Sequence, residues 1–182
     1  MRTLKFRVLI DTTEETDVFR DILVNSSDSF ESFYNTIMLA FNFAGDQLGS
    51  FYLSNDNWDK GHEITLMDMG MGAGDSAPSI MRDTPIDFHV ENTGQKLILV
   101  YDFMKMWCFL IELIEIEEGS VEGPEVVLSI GEAPHEDSKE ADFSAEMFAD
   151  SASLDLGNDI DDIFSDFDGE DFEDIDNLGD EI

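Results

Sequence analysis

The acid most open to chemistry is Asp102, set in the run Tyr101-Asp102-Phe103, where a carboxylate interrupts an apolar stretch. A buried aspartate needs a partner, either a bound group or backbone amides at a strand end. Glu136 and Asp137 form an acidic pair further on, and Trp107 follows the Tyr101 segment by six positions. Were Tyr101, Asp102, Trp107, Glu136 and Asp137 to converge on one pocket, they could do acid–base work. The three histidines, His62, His89 and His135, never recur at the three-to-five spacing of a helical metal site and read as plain polar residues. Met67, Met69 and Met71 offer soft thioethers, which select monovalent copper, but in a loop they read better as gap-filling or exposed methionines. Cys108 lies between Trp107 and Phe109, where a thiol is buried, with a raised pKa and little reactivity. Gly70, Gly72 and Gly74 lack the lysine of a phosphate loop, and no serine sits in a Gly-x-Ser-x-Gly setting. Asp166, Asp168 and Gly169 miss the spacing and terminal glutamate of a calcium loop. These motifs assign no catalytic residue, no metal and no cofactor, and the chain reads as a non-enzyme.

Charge narrows the partners. The 182 residues carry 43 acids against nine bases, a formal net charge of −34, so direct binding to nucleic acid through counterion release is excluded. One cysteine allows no internal disulfide, and the longest apolar run, Trp107 to Ile111, is far short of a membrane helix. The first ten residues interleave Arg2, Lys5 and Arg7 with apolar residues, unlike a signal peptide. A cytoplasmic protein with no membrane contact is the expectation.

The bases all lie at or before Lys139, whereas residues 141–182 hold 16 acids and no base. The first 140 residues thus keep 27 acids against nine bases, a formal −18. That composition divides the chain into a domain over 1–140 and an acidic tail over 141–182 expected to be disordered in isolation. Ile160, Ile163, Phe164, Phe167 and Phe172 are spaced among the tail's acids, a pattern suited either to docking on a basic, greasy partner or to a solubilising tail with transient helix.

Within the domain, Leu4, Phe6, Val8 and Ile10 alternate with Lys5, Arg7 and Leu9, and Val18 to Val24 follows as a second strand. Asp28 and Glu31 make a capping-box-like start for an amphipathic helix of about four turns bearing Phe30, Phe33, Tyr34, Ile37, Met38 and Phe41. A short strand over 50–54 leads into a long surface loop over 55–81. Thr84, Pro85 and Asp87, with Gly94 beyond, predict a second helix. Strands over 96–103 and 107–116, apolar on both faces, belong in the middle of a sheet, and 126–130 reads as the last strand. The order implies an α+β domain: a mainly antiparallel sheet with two helices packed on it.

The motif order resembles the plasmid pRiA4b ORF-three-like family, insertion-element passenger proteins of a "TnpR" type, over residues of about 4–137. Tyr101-Asp102-Phe103, Trp107 and the strand Cys108 to Ile116 are similar to the family's Tyr-Asp-Phe-Gly-Asp-x-Trp and its apolar strand. The helix Phe30 to Phe43 leading to Leu48 and Phe51 is similar to the family's helix, aromatic and His-Leu-x-x-Phe segment, and Gly131 to Asp137 to its closing Pro-Pro-Glu-Asp. Here Met104-Lys105 replaces Gly-Asp, and Tyr34 and Gln47 stand where histidines are usual, so a ligand or metal held by those groups in relatives is lost. The resemblance implies an α+β domain of uncharacterised function, carried on plasmids, mobile elements and chromosomes. A recombinase role is not implied, since no serine lies among clustered arginines. The expected function is a non-enzymatic binding module whose tail docks on a basic protein partner. Its candidate interaction or ligand residues are Tyr101, Asp102, Phe103, Trp107, Glu136 and Asp137. The alternative is a mobile-element accessory that acts on nucleic acid through a basic partner or as an acidic decoy.

Overall fold

The computed structural model describes residues 1–13, 15–70 and 72–141, and the first compact unit runs from Met1 to Asp142. Alternation in the first segments produces β1 (Arg2–Ile10) and β2 (Phe19–Asn25), paired antiparallel from Thr3 with Asn25 to Leu9 with Phe19. Leu4, Phe6 and Val8 are fully buried on one face of β1, while Arg7 on the other is exposed. The helix α1 (Phe30–Ala40) is capped by Ser29, whose hydroxyl accepts the Ser32 amide. Asp28, expected at the cap, accepts the Asn25 amide at 2.9 Å and holds the preceding turn.

The apolar stripe of α1 packs on the sheet through Phe33, 4.7 Å from Phe6 and stacked on Phe51 at 5.7 Å between ring centroids. Burial of each such side chain contributes about 1.5–3 kcal/mol. At the C-terminal end of α1, Arg20 is buried: its Nε donates to the carbonyl of Ala40 and its Nη1 to those of Phe19, Ile130 and Gly131, and its guanidinium lies 4.9 Å from the Phe41 ring centroid.

The remaining strands are β3 (Gly49–Ser54), β4 (Glu63–Thr65), β5 (Ser79–Ile80), β6 (Lys96–Tyr101), β7 (Trp107–Glu118) and β8 (Glu125–Ile130). They form one eight-stranded sheet in the order β5-β4-β3-β6-β7-β1-β2-β8, with β6 and β7 in its middle. Every pairing is antiparallel except β4 with β5, which is parallel and makes the sheet mixed.

Two expectations are corrected. The stretch 55–81 is not a plain loop, since it supplies both edge-proximal strands β4 and β5. The second helix does not form either: Thr84 to Gly94 holds only a 3-10 turn over Ile86–Phe88, so the sheet carries one α-helix rather than two. Ile86 N–H donates to the Asp28 carbonyl and Asp87 N–H to that of Ser26, tying the turn to the segment before α1, while the Glu91 and Asn92 amides that would carry a helix onward both donate to Gln95 Oε1 at 2.6 and 2.7 Å. The Thr84 hydroxyl points backward to the Ile80 carbonyl at 2.7 Å instead of capping forward. Tertiary bonds have overridden a local start signal. Among the described residues no helix is long and apolar enough to cross a membrane.

Candidate functional site

β6 and β7 are joined by a tight turn whose backbone enters and leaves through the left-handed region, with φ +57° at Asp102 and +54° at Met106. Asp tolerates that conformation because its short carboxylate can compensate locally. Asp102 Oδ1 accepts the amides of Met104 at 3.1 Å and Lys105 at 3.3 Å, and its carbonyl accepts those of Lys105 and Met106. Its own amide donates to the Leu48 carbonyl at 2.9 Å. Asp102 is 7% exposed, and its carboxylate is engaged with backbone N–H groups. Phe103 rides the turn half-buried.

Tyr101, fully buried, sends its hydroxyl to a different cluster. It donates to Glu136 Oε1 at 2.7 Å, lies 3.3 Å from Asp46 Oδ1 and accepts the Gln47 amide at 3.4 Å. Burial, reinforced by Glu136, pushes the phenol far above its ordinary pKa. Glu136 Oε2 accepts the Ala44 amide at 2.8 Å, and the Trp107 indole N–H donates to the Glu136 carbonyl at 3.2 Å. Phe43 fills the space between Tyr101 and Trp107, at 5.8 and 5.1 Å. Tyr34 donates its hydroxyl to the Gln47 carbonyl at 3.1 Å, so both positions where the resemblance expects histidine lie in the network around Tyr101.

Two lysines fasten the closing segment to the turn. Lys105 pairs with Asp137 at 2.9 Å, which lowers the Asp137 pKa and raises that of Lys105. Lys139 Nζ donates to the Met106 carbonyl and sits 5.3 Å from the Trp107 ring centroid. A cavity of about 380 Å³ opens beside Trp107, lined also by Asp11, Thr13, Pro134 and Lys139.

The six candidates therefore divide. Tyr101, Trp107 and Glu136 converge directly, Asp137 joins through Lys105, the Asp102 carboxylate turns instead to the amides of its own turn, and Phe103 stays half-buried on that turn. Only Trp107 among them lines the cavity. Ile160, Ile163, Phe164, Phe167 and Phe172 lie outside the described residues.

The structure adds a cluster that spacing did not reveal. His62, just before β4, and His89, after the 3-10 turn, face each other across Ser79 of β5, their rings 5.1 Å apart. No local periodicity connects these residues, so nothing in the sequence signalled the meeting.

A mixed eight-stranded sheet bearing one helix, with its closing segment latched to the β6–β7 turn through Glu136, Asp137 and Lys139, defines the class of domain. The chain belongs to the plasmid pRiA4b ORF-3-like protein family, whose pattern matches residues 2–175 and so extends past the 137 at which the motif likeness ends. Among solved structures it is similar to a protein of unknown function from Methanosarcina mazei Go1, with TM-score 0.61 and 17% identity over 93% of this chain and 91% of that one. That likeness is one of fold. No curated protein matches the chain.

Proposed function

We propose that this protein is a non-catalytic binding module of the cytoplasm, in which the acidic, aromatic-studded segment 141–182 engages a basic protein partner. The observation that carries the reading is charge segregation: 16 acids and no base after residue 140, interleaved with Ile160, Ile163, Phe164, Phe167 and Phe172. Such a segment combines long-range attraction to a cationic surface with apolar anchors for its grooves. The candidate residues of the domain support the same reading. The carboxylates of Asp102, Glu136 and Asp137 are engaged by amides, a phenol and a lysine, which suits a latch that keeps the domain closed.

The test is affinity purification with the full chain, with a chain ending at Lys139 and with the full chain carrying Phe164→Ala and Phe167→Ala, each at low and high salt. A basic protein retained by the full chain, released by salt and weakened in both variants is the expected result. An identical set of retained proteins for all three chains would refute the reading.

A further inference from the structure

The imidazoles of His62 and His89 both direct Nε2 at the hydroxyl of Ser79, at 2.8 Å and 3.5 Å respectively. One hydroxyl carries one proton, so it can donate to only one of the two ring nitrogens. The second must donate its own proton to the oxygen or leave a lone pair aimed at it. Three polar atoms from separate segments thus converge on one small volume.

We propose that His62 Nε2, His89 Nε2 and Ser79 Oγ form a binding site for a borderline divalent cation of the zinc class. Imidazole nitrogens favour such ions over magnesium and calcium, which prefer all-oxygen shells. With both rings in the Nδ1–H tautomer, the two Nε2 lone pairs and the hydroxyl oxygen supply three donors, and water completes a tetrahedral shell. Among the described residues no third His, Cys, Asp or Glu joins the two imidazoles in a group that could hold a metal, which leaves the hydroxyl as the third protein donor of this site. A site of this composition binds more weakly than a structural zinc site with four strong ligands.

Two further observations favour a cation here. The His89 ring is held by Phe88, edge-on at 4.8 Å, and lies 6.3 Å from Phe30, so it is oriented before any ion arrives. All three side chains are only partly buried, so an ion can reach them, and the acidic domain concentrates cations around itself. Bound there, the ion would clip together the approach to β4, the strand β5 and the end of the 3-10 turn.

The test is a zinc titration of the full-length protein with 15N-labelled histidine side chains at pH 7.5, in excess magnesium to occupy carboxylates nonspecifically. The ring signals of His62 and His89 are expected to move together, saturating at one equivalent with Nε2 as the ligating atom, while His135 stays in place. His62→Ala and His89→Ala should each weaken zinc binding by about tenfold or more, and Ser79→Ala, which spares both rings, by less because water can replace the hydroxyl. Equal movement of all three histidines, no movement of any, or undiminished affinity in either alanine variant would overturn the proposal. The ring signals of the unmodified protein decide the matter even if a variant fails to fold.

Discussion

Asp102 is where a structural role and a ligand-binding role make opposite demands on stability. Replacement by alanine removes the acceptor for the Met104 and Lys105 amides, at 3.1 and 3.3 Å, a loss of about 1 kcal/mol for each bond. It also leaves a Cβ residue at φ +57° without a side chain able to compensate, which adds roughly 1 kcal/mol. The total is about 3 kcal/mol, or on the order of 10 °C in Tm for a domain of this size. Asp102→Gly loses the same two bonds but relieves the backbone, for a net cost of about 1 kcal/mol. Asp102→Asn keeps an acceptor oxygen and tolerates the left-handed region, so it should cost about 0.5 kcal/mol. Urea unfolding followed by tryptophan fluorescence can report this series, since Trp107 is buried beside the turn at 3% exposure. The expected order of stability is wild type, Asn, Gly, Ala. An alanine variant as stable as wild type, or an asparagine variant as damaged as alanine, would refute the turn-locking role and return Asp102 to the ligand candidates.

Other consequences follow from the same geometry. Tyr34, Tyr52 and Tyr101 are the chain's three tyrosines, and burial raises all three phenols, Tyr52 to about 12 with Glu63 adding to the effect. The folded chain therefore keeps protons that the unfolded chain releases above about pH 10, so this contribution to stability is complete below that pH and lost as pH rises. Absorbance at 295 nm should stay flat to about pH 11 and then rise with unfolding, whereas a normal phenolate titration near 10 would contradict the burial. Tyr101→Phe, which removes the hydroxyl between Glu136 and Gln47, should speed hydrogen exchange at the Ala44 amide that Glu136 Oε2 accepts, and unchanged protection would mean the latch does not depend on Tyr101. His89 has a pKa below its ordinary value, so its contribution to stability is present above about pH 6.5 and lost as pH falls through the folded value. His89→Gln should accordingly lose less stability than wild type between pH 7 and 5, and parallel curves would contradict the shift. Burial also raises the Cys108 thiol, and iodoacetamide at pH 8 should alkylate it at least about tenfold faster in urea than in the native protein.

How much of this was legible in the sequence can be judged element by element. Alternation at Leu4, Phe6, Val8 and Ile10 marked β1, the spacing of Phe30, Phe33, Ile37 and Met38 marked α1, and apolar residues on both faces placed β6 and β7 in the middle of the sheet. Those signals are local because the side chains that must share a face are near neighbours in the chain. The end of β6 was less legible: the apolar run reads as a strand through Phe103, whereas the strand ends at Tyr101 because the Asp102 carboxylate accepts the amides of its own turn. Charge segregation and the family's motifs also needed nothing but residue order.

The rest depended on bonds between distant segments. Thr84, Pro85 and Asp87 carry a helix start, but the folded chain ties Ile86 and Asp87 to Asp28 and Ser26, and Gln95 takes the Glu91 and Asn92 amides that a helix would use. β4 and β5, three and two residues long, are too short to show a period and exist because they pair with each other and with β3. Glu136 looked like one acid in a pair, yet the fold sets it between Tyr101 and Ala44. His62 and His89 looked solitary until β5 placed Ser79 between them. The sequence by itself determined composition, charge division and the long elements, because each follows from neighbouring residues. Only the tertiary structure decided the mixed sheet, the lost helix, the latch and the histidine cluster, because hydrogen bonds between remote segments outweigh local preference wherever the two compete.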